Sequence, residues 1–271
     1  MMGATHFANK VAVITGGASG IGAAIGERFG KDGAKIALLD FDPKMLAETS
    51  KRFRDMGIEV LDITCDVTDE KQCDKAIKSV LKKFGGIDIL VNNAGITQRS
   101  LCKDTSMKVY RKVMEVNFFG CINCTLPALE SIIERKGTIV VTTSIAGIAP
   151  LYGRTGYSAS KHALHGFYES LRTELNDAGA HVIMLCPGFT VTNLQSRALD
   201  GKGSLNTKER SIPGQQDTPE QVAEALYRGV LKRKRILVLS RTGKLSHIIS
   251  KFFPGLYDKL MMKSVRAEFD E

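Results

Sequence analysis

The sequence predicts an α/β fold in which a doubly wound, seven-stranded parallel sheet carries helices on both faces. Three observations predict it: short apolar runs recur along the chain, segments with helical periodicity separate them, and the runs are apolar throughout rather than alternating. Strands covered on both faces have this continuous apolar character, and parallel neighbours need a crossover, which is usually a helix. Because such crossovers are right-handed, successive units place helices on both sides of the sheet.

The predicted strands are seven runs rich in β-branched residues. They cover residues 11–15, 35–40, 59–65, 87–92, 138–143, 181–186 and 236–240. Apolar residues at helical spacing mark the segments between them, which include residues 21–31, 44–56 and 69–84. No proline- or serine-rich linker interrupts this pattern and the sequence has no internal repeat, so we expect one domain over residues 1–271.

The composition is that of a soluble globular protein. Of the 271 residues, 43% are hydrophobic and 25% are charged, which excludes a disordered chain. No apolar leader precedes the six cysteines, and no run approaches about 18 apolar residues. We therefore expect free thiols, no membrane-spanning helix and a cytoplasmic protein. Cys121-x-x-Cys124 has no second cysteine pair, so no metal site is predicted.

The net charge of +9 is concentrated near the C-terminus. Residues 228–266 contain eleven lysines or arginines and one acid, Asp258, and so carry +10, whereas the rest of the chain sums to −1. A solvated basic face, an anionic membrane surface and an anionic substrate are the alternatives for this segment. The chain has no Trp, and no aromatic residue interrupts the basic run at 232–235, so we expect no nucleic-acid partner.

Two stretches depart from the alternation of strands and helices. Residues 192–219 are polar, rich in glycine and long for a loop in a compact domain, so we predict a substrate loop. Residues 244–271 form an amphipathic basic C-terminal segment, in which Pro254 is expected to divide one helix into two. Its apolar residues at helical spacing are Leu245, Ile248, Ile249, Phe252, Phe253, Leu256 and Leu260, and its lysines are Lys244, Lys251, Lys259 and Lys263. This apolar face either docks on protein (the body, a second copy or the substrate cleft) or makes peripheral contact with an anionic membrane.

A glycine-rich turn joins the first predicted strand to the first predicted helix. Its sequence is Gly16-Gly17-Ala18-Ser19-Gly20-Ile21-Gly22, a G-x-x-x-G-x-G spacing rather than the common G-x-G-x-x-G. Glycines let a backbone approach phosphates closely, and a helix N-terminus supplies N–H donors and a positive dipole end. The turn therefore predicts a site for the pyrophosphate of a dinucleotide.

Asp40, at the end of the second predicted strand, is the candidate residue for cofactor selection. A carboxylate at this place accepts hydrogen bonds from ribose hydroxyls and repels a 2′-phosphate. Ser19 and Phe41 occupy the positions where a phosphate site would carry Arg or Lys. NAD is accordingly the preferred cofactor, and NADP is the alternative.

Further motifs follow the later strands in order. They are Asp66-Val67, Asn92-Asn93-Ala94-Gly95, Asn117 in a helix, Ser144, Tyr157-x-x-x-Lys161 and Pro187-Gly188, with Thr190 and Thr192 just beyond. The ordered set resembles the short-chain dehydrogenase/reductase family, in its short single-domain branch, over roughly residues 8–240. The resemblance implies an NAD(P)-binding Rossmann fold and an oxidoreductase that interconverts an alcohol and a carbonyl.

The chemistry of one pair also follows from residue type. Tyr157 and Lys161 are four residues apart and share one face of a helix. A free tyrosine has a pKa of about 10, and a neighbouring ammonium favours its phenolate form. Tyr157 can then exchange a proton with a substrate oxygen at neutral pH.

The resemblance assigns roles to the motif residues. Ser144 holds the substrate oxygen, Lys161 also binds the nicotinamide ribose, and Asn117 supports a water-linked proton path to Lys161. With Tyr157 these three residues form the catalytic set. The cofactor-binding set is Gly16, Ser19, Gly20, Ile21, Gly22, Asp40, Asp66, Val67, Asn93, Ala94, Gly95, Tyr157, Lys161, Pro187, Gly188, Thr190 and Thr192.

A narrower resemblance is to dehydrogenase/reductase family members 7 and 7B. It is carried by segments such as Gln98-Arg99-Ser100-Leu101-Cys102, Ser160-Lys161-His162-Ala163-Leu164 and Phe253-Pro254-Gly255-Leu256. That subgroup is membrane-associated, generally uses NADP and is linked to lipid, retinoid or steroid-like carbonyls. The substrate pocket is expected to include Gln98, Ile145, Tyr152, Phe189 and Leu194.

Three functional hypotheses follow. The first is an NAD-preferring enzyme that interconverts an apolar secondary alcohol and its ketone, as a homodimer or homotetramer by family analogy. The second is an NADPH-dependent reductase of lipid ketones at a membrane surface. The third is a nucleotide-binding sensor without catalysis, which the intact set of Asn117, Ser144, Tyr157 and Lys161 disfavours.

Overall fold

A computed structural model of the chain describes residues 5–192, 194, 197–207 and 216–269. Its centre is a seven-stranded sheet with the order β3-β2-β1-β4-β5-β6-β7, and every neighbouring pair is parallel. The strands are β1 Val11–Thr15, β2 Lys35–Asp40, β3 Val60–Thr64, β4 Ile89–Asn92, β5 Thr138–Thr142, β6 His181–Cys186 and β7 Ile236–Val238. The predicted fold class and all seven predicted strands are confirmed, with ends that differ by at most two residues.

Helices connect the strands and cover both faces of the sheet. They are α1 Gly20–Gly30, α2 Pro43–Asp55, α3 Glu70–Phe84, α4 Met107–Met114, α5 Gly120–Glu134, α6 Thr155–Glu174, α7 Pro219–Leu231, α8 Arg241–Phe252 and α9 Pro254–Val265. On one face, residues such as Cys124 and Tyr168 of α5 and α6 pack in one buried core. On the other face, residues such as Ile25, Phe53 and Leu226 of α1, α2 and α7 form a second core. These two cores explain why the strands are apolar throughout.

Several helices begin at side chains that accept backbone hydrogen bonds. The Asp42 carboxylate accepts from the N–H groups of Lys44 and Met45 at the start of α2. At the start of α7, Thr218 and Gln221 form a reciprocal capping box. Such caps satisfy N–H groups that have no partner within the helix. They therefore set where each helix begins after its strand.

We expected no membrane-spanning helix, but one helical run is a candidate by length and composition. The run Met107–Glu134, in which a π-helical turn at Glu115–Phe119 joins α4 to α5, is long and apolar enough by composition to cross a membrane. The expectation was based on uninterrupted apolar runs, whereas a helix-length average tolerates polar residues such as Asn117 and Asn123. Cys121, Cys124 and Ile132 of this run pack in the core against the sheet, whereas Phe119, Leu126 and Ile133 are exposed.

The two atypical stretches of the sequence are only partly described. Of the predicted substrate loop 192–219, residues 193, 195–196 and 208–215 lie outside the described residues, and so do residues 270–271 of the C-terminal segment. The described part of the loop returns to the body, because the Arg99 N–H donates to the Leu199 carbonyl at 2.8 Å. Pro254 does divide the C-terminal segment, since α8 ends at Phe252 and α9 begins at Pro254.

Asp88 holds the starts of three strands together, at the end of the sheet where the strands begin. Its buried carboxylate accepts from the Val11 N–H at 2.9 Å, from Lys10 Nζ at 3.0 Å and from Arg135 Nη1 at 3.1 Å. Its backbone bonds Val11 O and Thr138 N. Lys10 and Arg135 are both substantially exposed, so their attraction to the Asp88 carboxylate contributes little to stability. The buried Val11 N–H depends most on Asp88, because it would otherwise lose its hydrogen-bond acceptor.

We predict that Asp88→Ala lowers the free energy of unfolding by about 2 kcal/mol, because the Val11 N–H loses its acceptor. Asp88→Asn keeps an acceptor oxygen and should lose less than about 1 kcal/mol. Urea denaturation of the three proteins measures both values. Equal stability of wild type and Asp88→Ala would contradict this role.

Candidate active site

A large cavity of about 1070 Å³ opens at the carboxyl ends of the strands. It extends from the glycine-rich turn and Asp40 at one end to Tyr157 and the C-terminal helices at the other. Parallel topology explains the convergence, because every strand ends at the same edge of the sheet. All the predicted catalytic and cofactor-binding residues line this cavity except Gly22 and Asn117, which are buried.

The glycine-rich turn has the geometry of a phosphate cradle. Gly16 and Gly20 have φ angles of 62° and 53°, in the left-handed region that favours glycine. A Cβ on Gly22 would lie 2.1 Å from the Gly16 carbonyl oxygen, so only glycine fits there. Ser19, Gly20 and Ile21 face the cavity at the N-terminus of α1. The residues present therefore fit the pyrophosphate of a dinucleotide.

Thr15 and Asn93 fix the position of this turn. The Thr15 hydroxyl oxygen accepts from the N–H groups of Asn93 and Ala94 at 2.9 and 3.0 Å. The Asn93 amide donates to the carbonyls of Thr15 and Gly16 at 3.1 and 3.2 Å. Asn93, one of the predicted cofactor-binding residues, lines the cavity, and its side chain joins the end of β4 to the turn after β1. Sequence analysis did not identify Thr15.

Asp40 lies buried beside the turn with both carboxylate oxygens oriented. One oxygen accepts from the Ala18 N–H at 3.0 Å and the other from the Asp42 N–H at 3.1 Å. The positions of Ser19 and Phe41 in the sequence did not reveal a cation that the structure places at this end. Arg197, from the substrate loop, lines the same cavity, with its guanidinium 5.9 Å from the Phe41 ring centroid and 4.0 Å from the Asp42 carboxylate.

Tyr157, Lys161 and Ser144 all line the cavity. Tyr157 and Lys161 are buried on one face of α6, with Lys161 Nζ 5.7 Å from the Tyr157 ring centroid. Lys161 Nζ also donates to the Thr142 carbonyl at 2.8 Å. Ser144 follows β5, and its hydroxyl oxygen accepts from the Ala146 N–H at 3.2 Å. This bond leaves the Ser144 O–H proton available to a ligand in the cavity.

Asn117 lies in the π-helical turn and is fully buried. Its amide exchanges hydrogen bonds with the backbone of Ile96, at 2.8 and 2.9 Å. It also donates to the Ser160 hydroxyl at 2.9 Å, and Ser160 donates to the Tyr157 carbonyl at 2.8 Å. The side chain of Asn117 therefore connects the turn after β4 to α6. Turns of this kind are frequent at functional sites.

Gln98 departs from the expected pocket lining, whereas Ile145, Tyr152, Phe189 and Leu194 do line the cavity. Gln98 is completely buried, and its Oε1 accepts from the Tyr157 N–H at 2.9 Å. The residue before α6, Arg154, provides no side-chain cap. Gln98 thus caps α6 from a distant part of the chain and orients the backbone of Tyr157.

A buried charge cluster attaches the C-terminus to the residues before α6. The Glu268 side chain is 2% exposed and accepts from Arg154 Nη2 at 2.9 Å, with Arg99 Nη1 at 3.9 Å. The Phe269 ring packs edge-on against Tyr152, at 5.5 Å between centroids. Arg99 also donates to Asn206 of the predicted substrate loop at 2.7 Å. Sequence analysis missed this cluster, because its members carry no local motif.

Burial lowers the pKa of Lys161 to about 8, and the nearby thiols of Cys121 and Cys186 oppose that shift. The ordinary value is 10.5, so the buried ammonium costs about 3 kcal/mol of stability where it is charged. Between the two values the unfolded chain binds more protons than the folded protein. The contribution of Lys161 to stability therefore improves as pH rises from 8 towards 10.5.

We predict that Lys161→Met, which removes the titrating group, is most stabilising relative to wild type near neutral pH. The stability difference should shrink by about 2 to 3 kcal/mol between roughly pH 7 and pH 10. Urea denaturation of both proteins across this range measures it. A constant difference would show that the Lys161 ammonium is not destabilised by burial.

Comparisons with known proteins agree with this geometry. A family model described as short chain dehydrogenase matches residues 10–203. Dehydrogenase/reductase SDR family member 7B of Mus musculus is 34% identical over 269 residues, with 97% of this chain and 83% of that protein covered. Family member 7 of Homo sapiens is 41% identical over 200 residues, covering 72% of this chain and 59% of that protein.

Among solved structures, a short chain dehydrogenase/reductase from Burkholderia phymatum in complex with NAD has a TM-score of 0.83 and 25% identity. The match covers 92% of this chain and 95% of that one. Sequence and fold thus agree over most of the chain. The chain belongs to the short-chain dehydrogenase/reductase family, whose enzymes are oxidoreductases that act on CH–OH groups.

Proposed function

We propose that the protein interconverts an apolar secondary alcohol and its ketone, with NAD as the preferred cofactor. One observation carries the proposal: Ser144, Tyr157 and Lys161 face the same cavity as the glycine cradle and Asp40. A ligand that extends from the cradle along this cavity would end beside the three side chains. The nicotinamide, when bound, supplies or accepts a hydride.

The three side chains divide the proton chemistry. In the reducing direction, the Ser144 O–H donates to the carbonyl oxygen and polarises it, and Tyr157 transfers its phenolic proton to that oxygen. The resulting phenolate is stabilised by the Lys161 ammonium on the same helix face. In the oxidising direction, the phenolate removes the hydroxyl proton. Because the pKa of Lys161 is about 8, the ammonium is charged at neutral pH.

Supporting residues keep this arrangement rigid. Gln98 and Ser160 bond the backbone N–H and carbonyl of Tyr157, at 2.9 and 2.8 Å. The Thr142 carbonyl holds Lys161 Nζ. A Cβ on Gly95 would lie 3.2 Å from Asn117 Oδ1 and 3.6 Å from Lys161 Nζ. Glycine at this position therefore keeps a side chain out of the space beside these two polar groups. We propose that Asn117 is a positioning residue, acting through Ile96 and Ser160.

The composition of the cavity beyond Tyr157 supports an apolar substrate. Its wall there consists largely of aliphatic and aromatic side chains from the loop before α6, the substrate loop and the two C-terminal helices. These are Ala149, Leu151, Tyr152, Leu199, Leu205, Leu245, Ile249, Tyr257, Leu260 and Met261. Such a surface favours lipid-, retinoid- or steroid-like molecules over small polar ones. We infer that the substrate carries its carbonyl at Ser144 and its apolar body against this wall.

The preference for NAD rests on Asp40. Its fixed carboxylate would accept hydrogen bonds from a ribose diol and repel a 2′-phosphate. Arg197 is the opposing element, because a guanidinium near this end attracts phosphate. The Asp42 carboxylate, 4.0 Å from the guanidinium, already compensates part of its charge. The second hypothesis, an NADPH-dependent reductase, therefore depends on whether Arg197 outweighs Asp40.

We predict that Tyr157→Phe lowers kcat for ketone reduction by about a thousandfold, because the proton donor is lost. The affinity for the reduced cofactor should change by less than about threefold, since the ring and its surroundings remain. Steady-state kinetics and cofactor fluorescence measure the two quantities. As a matched control, Tyr110→Phe removes a partly exposed hydroxyl on α4 that bonds Thr155, and it should retain most of the activity. Full turnover by Tyr157→Phe would overturn the assignment.

We predict that NADH binds at least tenfold more tightly than NADPH, a difference of about 1.4 kcal/mol. Titration of the purified protein, followed by nicotinamide fluorescence, measures both affinities. Asp40→Ser should remove most of the preference, whereas Arg197→Ala should enlarge it by weakening NADPH alone. Tighter NADPH binding by wild type, lost in Arg197→Ala, would instead support the NADPH-dependent lipid-ketone reductase.

A further inference from the structure

The corner between α8 and α9 projects an apolar surface into solvent. Every residue from Lys251 to Leu256 is exposed. Phe252 is 66% exposed, Phe253 is 61% exposed and Leu256 is 52% exposed. The corner exists because Pro254 cannot continue α8 and starts α9 instead. Two adjacent phenylalanines at an exposed turn are costly in water.

The apolar surface continues along the outer face of both helices. On α8, Leu245, Ile248 and Phe252 are spaced by three and four residues, share one face, and are all more than half exposed. On α9, Leu256 and Leu260 are four residues apart and about half exposed. We call these residues and Phe253 the corner patch. A contiguous apolar patch of this kind marks an interaction site.

Lysines border the corner patch on each helix. Lys244 and Lys251 lie four residues before and three residues after Ile248, and Lys259 and Lys263 flank Leu260 on α9. Within the described part of the chain, neither these lysines nor Arg241 forms an ion pair. Asp258 is the one acid on either helix. The border therefore carries an uncompensated positive charge.

We propose that the corner patch docks on an anionic lipid surface, with its apolar side chains in the interfacial region and its lysines at the headgroups. An apolar arc edged by cations is what such a surface binds. A second copy of the chain fits less well. A two-fold interface places the same patch on both sides, so that the lysines of one copy would face those of the other.

The inner side of the same helices lines the cavity. Ile249 and Met261 form part of its wall, while Leu245 and Leu260 both line the cavity and belong to the exposed corner patch. The edge of the cavity is therefore continuous with the docking surface. Resting on the proposed function, this continuity lets an apolar ketone pass from the bilayer to Tyr157 without crossing bulk water.

Cosedimentation with vesicles tests the docking. The full chain should bind phosphatidylcholine vesicles that contain about 30% phosphatidylserine, and bind pure phosphatidylcholine at least tenfold more weakly. Phe252→Ser/Phe253→Ser should weaken binding to the anionic vesicles by at least about tenfold. Met107→Ser is the matched control, because Met107 is an equally exposed apolar residue, at 62%, on α4. It should bind like wild type.

A second pair of variants tests the charge. Lys251→Glu/Lys259→Glu should weaken anionic-vesicle binding by at least about tenfold. Lys71→Glu/Lys75→Glu makes the same change in net charge at exposed positions on α3 and should have a much smaller effect. Binding that is absent, or equal for both vesicle compositions and all variants, would overturn the proposal. Self-association that Phe252→Ser/Phe253→Ser abolishes, without vesicle binding, would assign the patch to a second copy.

Turnover separates this proposal from the proposed function. With a water-soluble ketone in buffer, Phe252→Ser/Phe253→Ser should match wild type, because the changed residues lie outside the cavity wall. With an apolar ketone dissolved in anionic vesicles, the kcat/KM of Phe252→Ser/Phe253→Ser should be at least fivefold below that of wild type. Vesicle binding without turnover of any ketone would refute the function and leave the docking intact. Equal kcat/KM from vesicles would refute the delivery of substrate.

Discussion

Parallel pairing is the constraint on which the rest of the molecule depends. Because each pair of neighbouring strands is parallel, β1, β2, β4, β5 and β6 all end at one edge, and the residues that follow them line one cavity. Polar residues placed after buried strands thus become neighbours without any local signal that joins them. At the opposite edge, Asp88 joins the starts of three strands and has only a structural role. Stability and chemistry therefore depend on different ends of the sheet.

The first turns of α6 carry two polar side chains of the site that are costly to bury. Tyr157 and Lys161 must be buried to face the cavity, and burial opposes the charge that Lys161 carries. The protein compensates with buried polar contacts that converge on this helix: Gln98 on the Tyr157 N–H, Ser160 on its carbonyl, and Thr142 on the ammonium. A buried polar group without such a partner would destabilise the protein, and the bonds that are formed hold the side chains in one geometry.

The packing of the two C-terminal helices, α8 and α9, shapes one end of the cavity. Glu268, buried between Arg99 and Arg154, attaches the end of the chain to the residues just before α6. That attachment keeps the inner faces of α8 and α9 against the cavity and leaves their outer apolar faces exposed. The same segment therefore lines the cavity on one side and exposes an apolar surface on the other. Arg99, bonded to Asn206 as well, links this segment to the predicted substrate loop.

Local pattern in the sequence was enough for the strands, the boundaries of α1, α2 and α3 to within one residue, the glycine cradle and the order of the motif residues, because periodicity and turn chemistry act between near neighbours in the chain. The break at Pro254 belongs to the same class. Tertiary structure alone placed Gln98 on the Tyr157 N–H instead of in the pocket, brought Arg197 beside Phe41 and Asp42, and paired Glu268 with Arg154. Each of these contacts joins residues from distant parts of the chain, so no spacing in the sequence encodes it; the pairing is decided by which loops and helix ends the folded sheet brings into contact.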